Sequence, residues 1–219
     1  MSPSGSRTSS TDDELSRRRA LMVERQLRRR GIADEAVLRA MTEVPRERFV
    51  PAEVRRHAYY DGALGIGSGQ TISQPWIVAR MTELLSLTGP ERVLEVGTGS
   101  GYGAAVLSRV CSHVVSVERR PELAEAARAT LAELGYRNVE VREGDGSLGA
   151  GDRAPFDGIL VTAAAEHGPP PALLEQVVPD GAVVCPIGRG DHERLVRLRN
   201  NETEDVAAVR FVPLIEGEG

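Results

Sequence analysis

The sequence predicts an α/β fold with a doubly wound, mostly parallel sheet, an N-terminal helical extension and a C-terminal antiparallel hairpin. Three observations support this prediction. Short apolar runs alternate with helical segments from residue 91 onward, which is typical of a parallel sheet covered on both faces. A glycine-dense turn directly follows the first of these runs. Polar residues follow several other runs, at the strand ends where such sheets bind ligands.

The length of 219 residues fits one compact domain with an N-terminal addition. We expect residues 1–10 to form a disordered tail, because they are mostly small and polar and bury too little to offset the entropy of ordering. Residues 11–90 are expected to form a helical cap and a loop at the ligand site. Residues 91–219 should form the ligand-binding core, packed with the cap into one domain.

Two helices are predicted in the cap. A capping-box pattern at residues 11–14 opens a helix that ends at Gly31. Asp34 is the expected N-cap of the second helix, which buries one apolar face. Residues 46–56 should be helical in pieces around Pro51.

The core contains regularly alternating elements. Strands are expected at 93–96, 113–118, 139–141, 156–162 and 181–187, and helices at 104–110, 121–134 and 172–177. Two further strands, 195–198 and 206–212, are joined across Asn200 and Asn201, a pair that favours a tight turn. These last strands give the C-terminal antiparallel hairpin.

Charge and composition argue against several classes of partner. The formal net charge is -5 and the pI is about 5.5, so neither nucleic acid nor an anionic membrane is an expected partner. Cys111 and Cys185 lack metal-ligand or redox spacing and should be buried thiols in a reducing cytosol. The four histidines form no ligand motif, and no metal site is predicted. We expect a cytoplasmic protein, because no run resembles a membrane span or an export signal. A monomer is also expected.

The glycine turn predicts a site for a nucleotide-like ligand. Glycine recurs at positions 97, 99, 101 and 103, and glycine lets a backbone turn sharply and touch a ligand. The dinucleotide-binding fingerprint would require glycine at Tyr102, so a dehydrogenase is disfavoured. The pattern from Glu95 to Gly101 is similar to the first motif of S-adenosylmethionine-dependent methyltransferases.

Glu118 strengthens this interpretation. It ends the next apolar run, about 20 residues after the glycine turn, where an acidic side chain at a strand tip reaches ribose hydroxyls. The alternative to a ligand site is a tight structural turn followed by a solvated glutamate.

A second glycine-dense stretch covers residues 64–75 and precedes a predicted helix. Pro75 suits the first turn of that helix. Ser73 stands just before it and has two candidate roles. It is either the N-cap of the helix or a polar group at the ligand site.

With these residues in place, the chain resembles the protein-L-isoaspartate O-methyltransferase family from about Leu27 to the C-terminus. The resemblance implies a Rossmann-like methyltransferase fold. One departure is Gly65, where that family usually has proline. The matching segments are, in family order, 69–75, 93–102, 116–119, 144–146, 154–157, 161–164 and 210–214.

The resemblance implies a protein repair activity. A methyl group would pass from the cofactor S-adenosylmethionine to the free carboxylate of an L-isoaspartyl residue in a damaged protein or peptide. The ester would then collapse to a succinimide, whose hydrolysis returns some normal aspartate. A carboxylate with a pKa of about 4 is already ionised at neutral pH, so the transfer needs no general base.

The resemblance also assigns site residues. Ser73 would be catalytic at the reacting centre, and Thr71, Ser73, Val212 and Leu214 would bind the substrate, partly through main-chain hydrogen bonds to an extended peptide. The cofactor would be bound by Gln70, Thr71, Ile72, Ser73, Gly97, Thr98, Gly99, Ser100, Gly101, Glu118, Arg119, Asp145 and Gly146.

Two alternatives stay open at the sequence level. One is a methyltransferase of the same fold acting on an aspartate of a ribosomally made peptide. The other is a module that binds the cofactor or isoaspartyl peptides without turnover. A serine hydrolase is disfavoured, because the residues around Ser100 do not form the G-x-S-x-G elbow.

Overall fold

The computed structural model describes residues 6–217 as two sheets flanked by helices. A small antiparallel hairpin consists of β1 (Leu64–Gly67) and β2 (Gln70–Ile72). The main sheet contains β3 (Arg92–Val96), β4 (His113–Glu118), β5 (Val139–Glu143), β6 (Phe156–Val161), β7 (Val177–Ile187), β8 (Arg194–Arg199) and β9 (Glu202–Ala208). Their order across the sheet is β5-β4-β3-β6-β7-β8-β9.

The pairing of the main sheet confirms the predicted fold class. The first five strands are parallel to their neighbours, whereas β7 pairs antiparallel with β8 and β8 with β9. The order reverses beside β3, where β4 lies on one side and β6 on the other. Ligands of open α/β sheets bind at the carboxyl ends of the strands next to such a reversal.

The helices cover both faces of this sheet. They are α1 (Ser6–Met22), α2 (Glu35–Glu43), α3 (Pro75–Leu84), α4 (Tyr102–Leu107), α5 (Pro121–Glu133) and α6 (Pro171–Leu174). Two short 3₁₀ turns, Arg46–Phe49 and Ala52–His57, confirm the prediction that residues 46–56 are helical in pieces. Within residues 6–217, no helix is long and apolar enough to cross a membrane.

The first helix begins earlier than predicted. It starts at Ser6 rather than at residue 11 and continues through a π turn and a 3₁₀ turn to Gly31, whose φ of 91° ends it as predicted. Serine, threonine and arginine cost a helix less than about 0.7 kcal/mol each, so they need not stop it. Residues 1–5 of the predicted tail lie outside the described residues.

The strand boundaries differ from prediction in three places. β9 runs from Glu202 to Ala208 instead of from 206 to 212. It ends there because the carbonyl and carboxylate of Glu193 accept hydrogen bonds from the N–H groups of Val209 and Phe211. Val177 begins β7 instead of ending a helix, so α6 is only four residues long. The hairpin of β1 and β2 was predicted only as a loop. The turn at Asn200 and Asn201 is confirmed, with φ of 52° and 62°.

One buried cluster joins the N-terminal helices to the main sheet. Met41 of α2 and Phe49 lie against Tyr102 of α4, and the rings of Phe49 and Tyr102 are 5.7 Å apart in an edge-to-face arrangement. Such a pair stabilises by roughly 0.5–1.5 kcal/mol beyond its area burial. Because Tyr102 lies between Gly101 and Gly103 of the glycine turn, the helical cap is packed against the candidate site.

We expect Asp34→Ala to lower the free energy of unfolding by about 1 kcal/mol. Its Oδ1 accepts hydrogen bonds from the N–H groups of Ala36 and Val37 at 2.8 and 3.3 Å, which confirms it as the N-cap of α2. Urea unfolding measures the change. Asp34→Asn keeps an acceptor and should lose much less, and equal losses in the two variants would contradict the capping role.

Candidate active site

A cavity of about 1150 Å³ lies at the carboxyl ends of β3, β4 and β6. Single ligand sites are typically roughly 300–1,000 Å³, so this cavity has room for a small molecule together with part of a second reactant. Several segments far apart in sequence surround it. The predicted site residues that line it are Gln70, Thr71, Ile72, Ser73, Gly97, Thr98, Gly99, Ser100, Glu118, Arg119, Gly146, Val212 and Leu214.

The glycine turn needs glycine for two different reasons. A Cβ on Gly97 would lie 2.2 Å from Oγ1 of Thr162, which donates to the Gly97 carbonyl at 2.7 Å. Within 4 Å of a Cβ on Gly99 the described residues place only Ile66 of the hairpin, at 3.5 Å, but the φ of 53° at Gly99 disfavours a side chain. Gly97 therefore allows close approach to β6, whereas Gly99 presents bare backbone to the cavity.

Gly101 and Asp145 do not line the cavity, unlike the other predicted cofactor residues. A Cβ on Gly101 would lie 3.3 Å from Ala127 and from Leu131, so this glycine lets α5 pack closely. The Asp145 carboxylate accepts hydrogen bonds from the N–H groups of Ser147 and Gly217 at 2.9 and 2.7 Å. Both residues therefore support the walls of the cavity from behind.

Arg119 lines the cavity and also contacts the C-terminal segment. Its Nη1 donates to the carbonyl of Ile215 at 3.4 Å and lies 4.0 Å from Oδ2 of Asp145. Together with the bond from Asp145 to Gly217, this contact fixes residues 215–217 beside the end of β4.

Glu118 is held by the backbone on both sides. Its Oε2 accepts from the N–H of Gly99 at 2.8 Å, and its Oε1 accepts from the N–H of Arg120 at 3.0 Å. The residue is only 6% exposed, yet it lines the cavity. Each carboxylate oxygen has further acceptor capacity, so the side chain is oriented to accept from a pair of hydroxyls.

A buried polar chain behind the glycine turn was not predicted. Oε2 of Glu95 accepts from the hydroxyl of Ser116 at 2.5 Å, and Ser116 is 2.6 Å from Oγ1 of Thr98. Burial raises the pKa of Glu95 to about 8; the Ser116 hydrogen bond opposes this shift and the nearby Glu118 charge adds to it. A Cβ on Gly103 would lie 2.3 Å from the Glu95 carboxyl. Glutamate inside an otherwise apolar strand was the available sequence signal.

Ser73 lies between β2 and α3 and lines the same cavity. The N-cap of α3 is Gln74, whose side chain makes no capping bond, and Pro75 is the first helical residue as predicted. The alternative that Ser73 caps this helix is therefore wrong. The carbonyl of Ser73 accepts a hydrogen bond from Nη2 of Arg46 at 2.7 Å, a contact that was not predicted.

Val212 and Leu214 line the same cavity near the C-terminus. The Val212 carbonyl accepts from the N–H of Ala164 at 2.8 Å, and the N–H of Leu214 donates to the Ala164 carbonyl at 2.8 Å. These two main-chain groups are therefore already paired within the protein. Main-chain binding of a peptide by this segment stays a prediction, and both residues border the cavity.

Gly65, the departure from the family pattern, does not line the cavity. It is exposed in β1 and pairs across the hairpin with Thr71, and a Cβ there would meet nothing within 4 Å among the described residues. The departure therefore changes the stiffness of the hairpin more directly than it changes the cavity wall.

The fold and the cavity define a Rossmann-like methyltransferase. The model of the family "Protein-L-isoaspartate(D-aspartate) O-methyltransferase" matches residues 16–219. The chain therefore belongs to the protein-L-isoaspartate O-methyltransferase family.

Individual relatives agree with this assignment. Protein-L-isoaspartate O-methyltransferase 2 of Pelobacter propionicus is 53% identical, over 92% of both chains. The Yersinia enterocolitica enzyme of that family is 54% identical over 88% of this chain and 94% of its own.

Solved structures show the same fold. A protein-L-isoaspartate O-methyltransferase superposes with a TM-score of 0.81 and 29% identity over 91% of this chain, which spans 66% of that protein. A Plasmodium falciparum protein in complex with S-adenosyl-L-homocysteine gives a TM-score of 0.77 at 23% identity, over 91% of this chain and 99% of that one.

We expect Glu118→Ala to weaken S-adenosylhomocysteine binding by roughly 1.5–3 kcal/mol, the range for hydrogen bonds to a charged group. Calorimetric titration measures the loss. Glu125→Ala, at an exposed position on α5, is the matched control and should bind as the wild type does. A Glu118→Ala loss that is no greater for the natural ligand than for its dideoxyribose analogue would contradict ribose recognition.

We expect Glu95→Gln to reduce the pH dependence of stability. The folded state holds the Glu95 proton up to a pKa of about 8, whereas the unfolded state releases it near 4.5. Wild-type stability should therefore fall as pH rises from 4.5 to 8, by at most about 1.4 kcal/mol for each pH unit. Urea unfolding at pH 5.5 and 8.5 should show a smaller fall in Glu95→Gln than in Glu125→Gln. Equal falls would contradict the buried neutral acid.

Proposed function

We propose that this chain transfers a methyl group from S-adenosylmethionine to the free carboxylate of L-isoaspartyl residues in damaged proteins and peptides. One observation carries the proposal. One cavity is lined both by the glycine turn with Glu118, here called the cofactor wall, and by the Thr71–Ser73 loop, here called the acceptor wall. Groups suited to a nucleoside and groups suited to an acceptor thus line the same cavity, in a chain of this methyltransferase family.

The residues of the cofactor wall fit an adenosine-containing cofactor. The glycine turn exposes backbone at Gly99, and the oriented carboxylate of Glu118 suits two adjacent ribose hydroxyls. When bound, S-adenosylmethionine supplies a methyl group on a positively charged sulfur. Thr98, Ser100, Arg119 and Gly146 complete this wall.

The acceptor wall has to orient a group that is already reactive. A carboxylate is ionised at neutral pH, so no side chain has to remove a proton before transfer. Holding reactants in line contributes as much as about 7–11 kcal/mol to lowering a barrier. We assign orientation of the substrate carboxylate to the Ser73 hydroxyl, with Thr71, Val212 and Leu214 as neighbours of the bound peptide.

The cellular setting is part of the same proposal. We propose a cytoplasmic monomer that acts on isoaspartyl-containing proteins without nucleic acid or a membrane as partner. The net charge of -5 supports the absence of a polyanion site. Both cysteines are buried free thiols, which suits a reducing compartment.

We expect Ser73→Ala to lower the single-turnover rate of methyl transfer to an isoaspartyl peptide by roughly 10- to 100-fold, because a misplaced reactant costs alignment. Affinity for S-adenosylhomocysteine should change much less. Ser73→Thr keeps the hydroxyl, and its single-turnover rate should lie between the rates of the wild type and of Ser73→Ala. Ser112→Ala removes an exposed hydroxyl away from the cavity and should react like the wild type. Full turnover in Ser73→Ala would contradict the assigned role.

A further inference from the structure

Arg46 is a buried cation that connects the helical cap to the candidate active site. It is fully buried, and its Nε donates to the carbonyl of Ala58 at 2.7 Å. Its Nη2 donates to the carbonyl of Ser73 at 2.7 Å, and its guanidinium lies 4.9 Å from the centre of the Tyr102 ring. One side chain thus holds three separate segments, two of which line the cavity through Ser73 and Tyr102.

Burying the Arg46 cation is unfavourable for the stability of the folded protein. A buried charge loses several kcal/mol of hydration unless a partner compensates, and the partners of Arg46 are two carbonyls and an aromatic ring. Nη1 is buried without a hydrogen-bond partner in the part of the chain that the structure describes. Burial lowers the pKa of Arg46, against the opposing effect of Tyr102. An apolar side chain would fill this space without leaving a donor unpaired.

The hydrogen bond to Ser73 provides a functional explanation for this buried cation. Ser73 precedes Gln74, the N-cap of α3, whose side chain makes no capping hydrogen bond that would fix this turn. The Arg46 guanidinium instead fixes the direction of the Ser73 peptide plane from behind the cavity wall. The same guanidinium packs over the ring of Tyr102, which follows Gly101 and begins α4. Arg46 therefore sets the position of the acceptor wall relative to the cofactor wall.

We propose that Arg46 is a positioning residue for methyl transfer, which orients Ser73 through its main-chain carbonyl. This proposal rests on the proposed function only for its kinetic consequences. The ordering of the loop that contains Ser73 follows from the contacts alone.

The kinetic test uses Arg46→Lys, which keeps a cation but loses the fork that reaches two carbonyls at once. With an isoaspartyl peptide, kcat should fall roughly 10- to 100-fold, while affinity for S-adenosylhomocysteine changes less than about threefold. In a Ser73→Ala background, Arg46→Lys should lower kcat little further, because two residues that act together are not additive. Equal, multiplicative losses in both backgrounds would overturn the proposal.

The control is Tyr59→Phe, which removes the hydrogen bond to the buried Glu47 in the same cluster without touching Ser73. It should lower stability while leaving kcat per folded molecule at the wild-type value. A fall in kcat as large as that of Arg46→Lys would show a general packing effect and overturn the proposal.

Amide hydrogen exchange separates this proposal from the proposed function. Residues 70–74 should exchange faster in Arg46→Lys than in Tyr59→Phe, measured at equal fractions folded. An inactive wild-type enzyme would refute the proposed function, yet faster exchange in this loop would still support the role of Arg46. Unchanged exchange together with unchanged kcat would overturn it.

Discussion

The Glu118 carboxylate is the constraint on which the nucleoside side of the site depends. It joins the N–H of Gly99, after β3, to the N–H of Arg120, before α5. Two parallel strands thereby end in turns with a fixed separation, and the carboxylate stays pointed into the cavity. The positive φ angles at Gly97, Gly99 and Gly101 are the backbone geometry that permits this approach. Behind them, Glu95 and Ser116 complete a buried polar layer.

Arg46 provides the corresponding constraint on the acceptor side. Its contacts with Ser73 and Tyr102 connect the loop before α3 to the helix after the glycine turn. The hairpin adds a peripheral contact, because Ser68 donates to Glu122 of α5 at 2.9 Å. The buried contacts of Arg46 thus set the relative position of the two walls. The hydrogen bond between Ser68 and Glu122 is exposed, so water can replace it.

The sequence predicts what depends on local spacing. The glycine turn, Glu118 and the Asn200–Asn201 turn were found because strand ends and turn residues are adjacent in the chain. Arg46 was missed because its bond to Ser73 spans 27 residues and arises only from tertiary packing. The hairpin was missed because glycine replaces the usual alternation of side chains in β1. Gly101 and Asp145 belong to the predicted segments, but they contact α5 and the C-terminal segment instead of lining the cavity. That orientation depends on tertiary packing.

The central claim is that the acceptor is an isoaspartyl carboxylate. The direct measurement compares two peptides of identical composition, one with L-isoaspartate and one with L-aspartate at the same position, as methyl acceptors from labelled S-adenosylmethionine. We expect methyl ester formation on the isoaspartyl peptide and a far lower kcat/KM for its aspartyl twin. Equal rates on both peptides, or no transfer to either while S-adenosylhomocysteine binds, would contradict this claim.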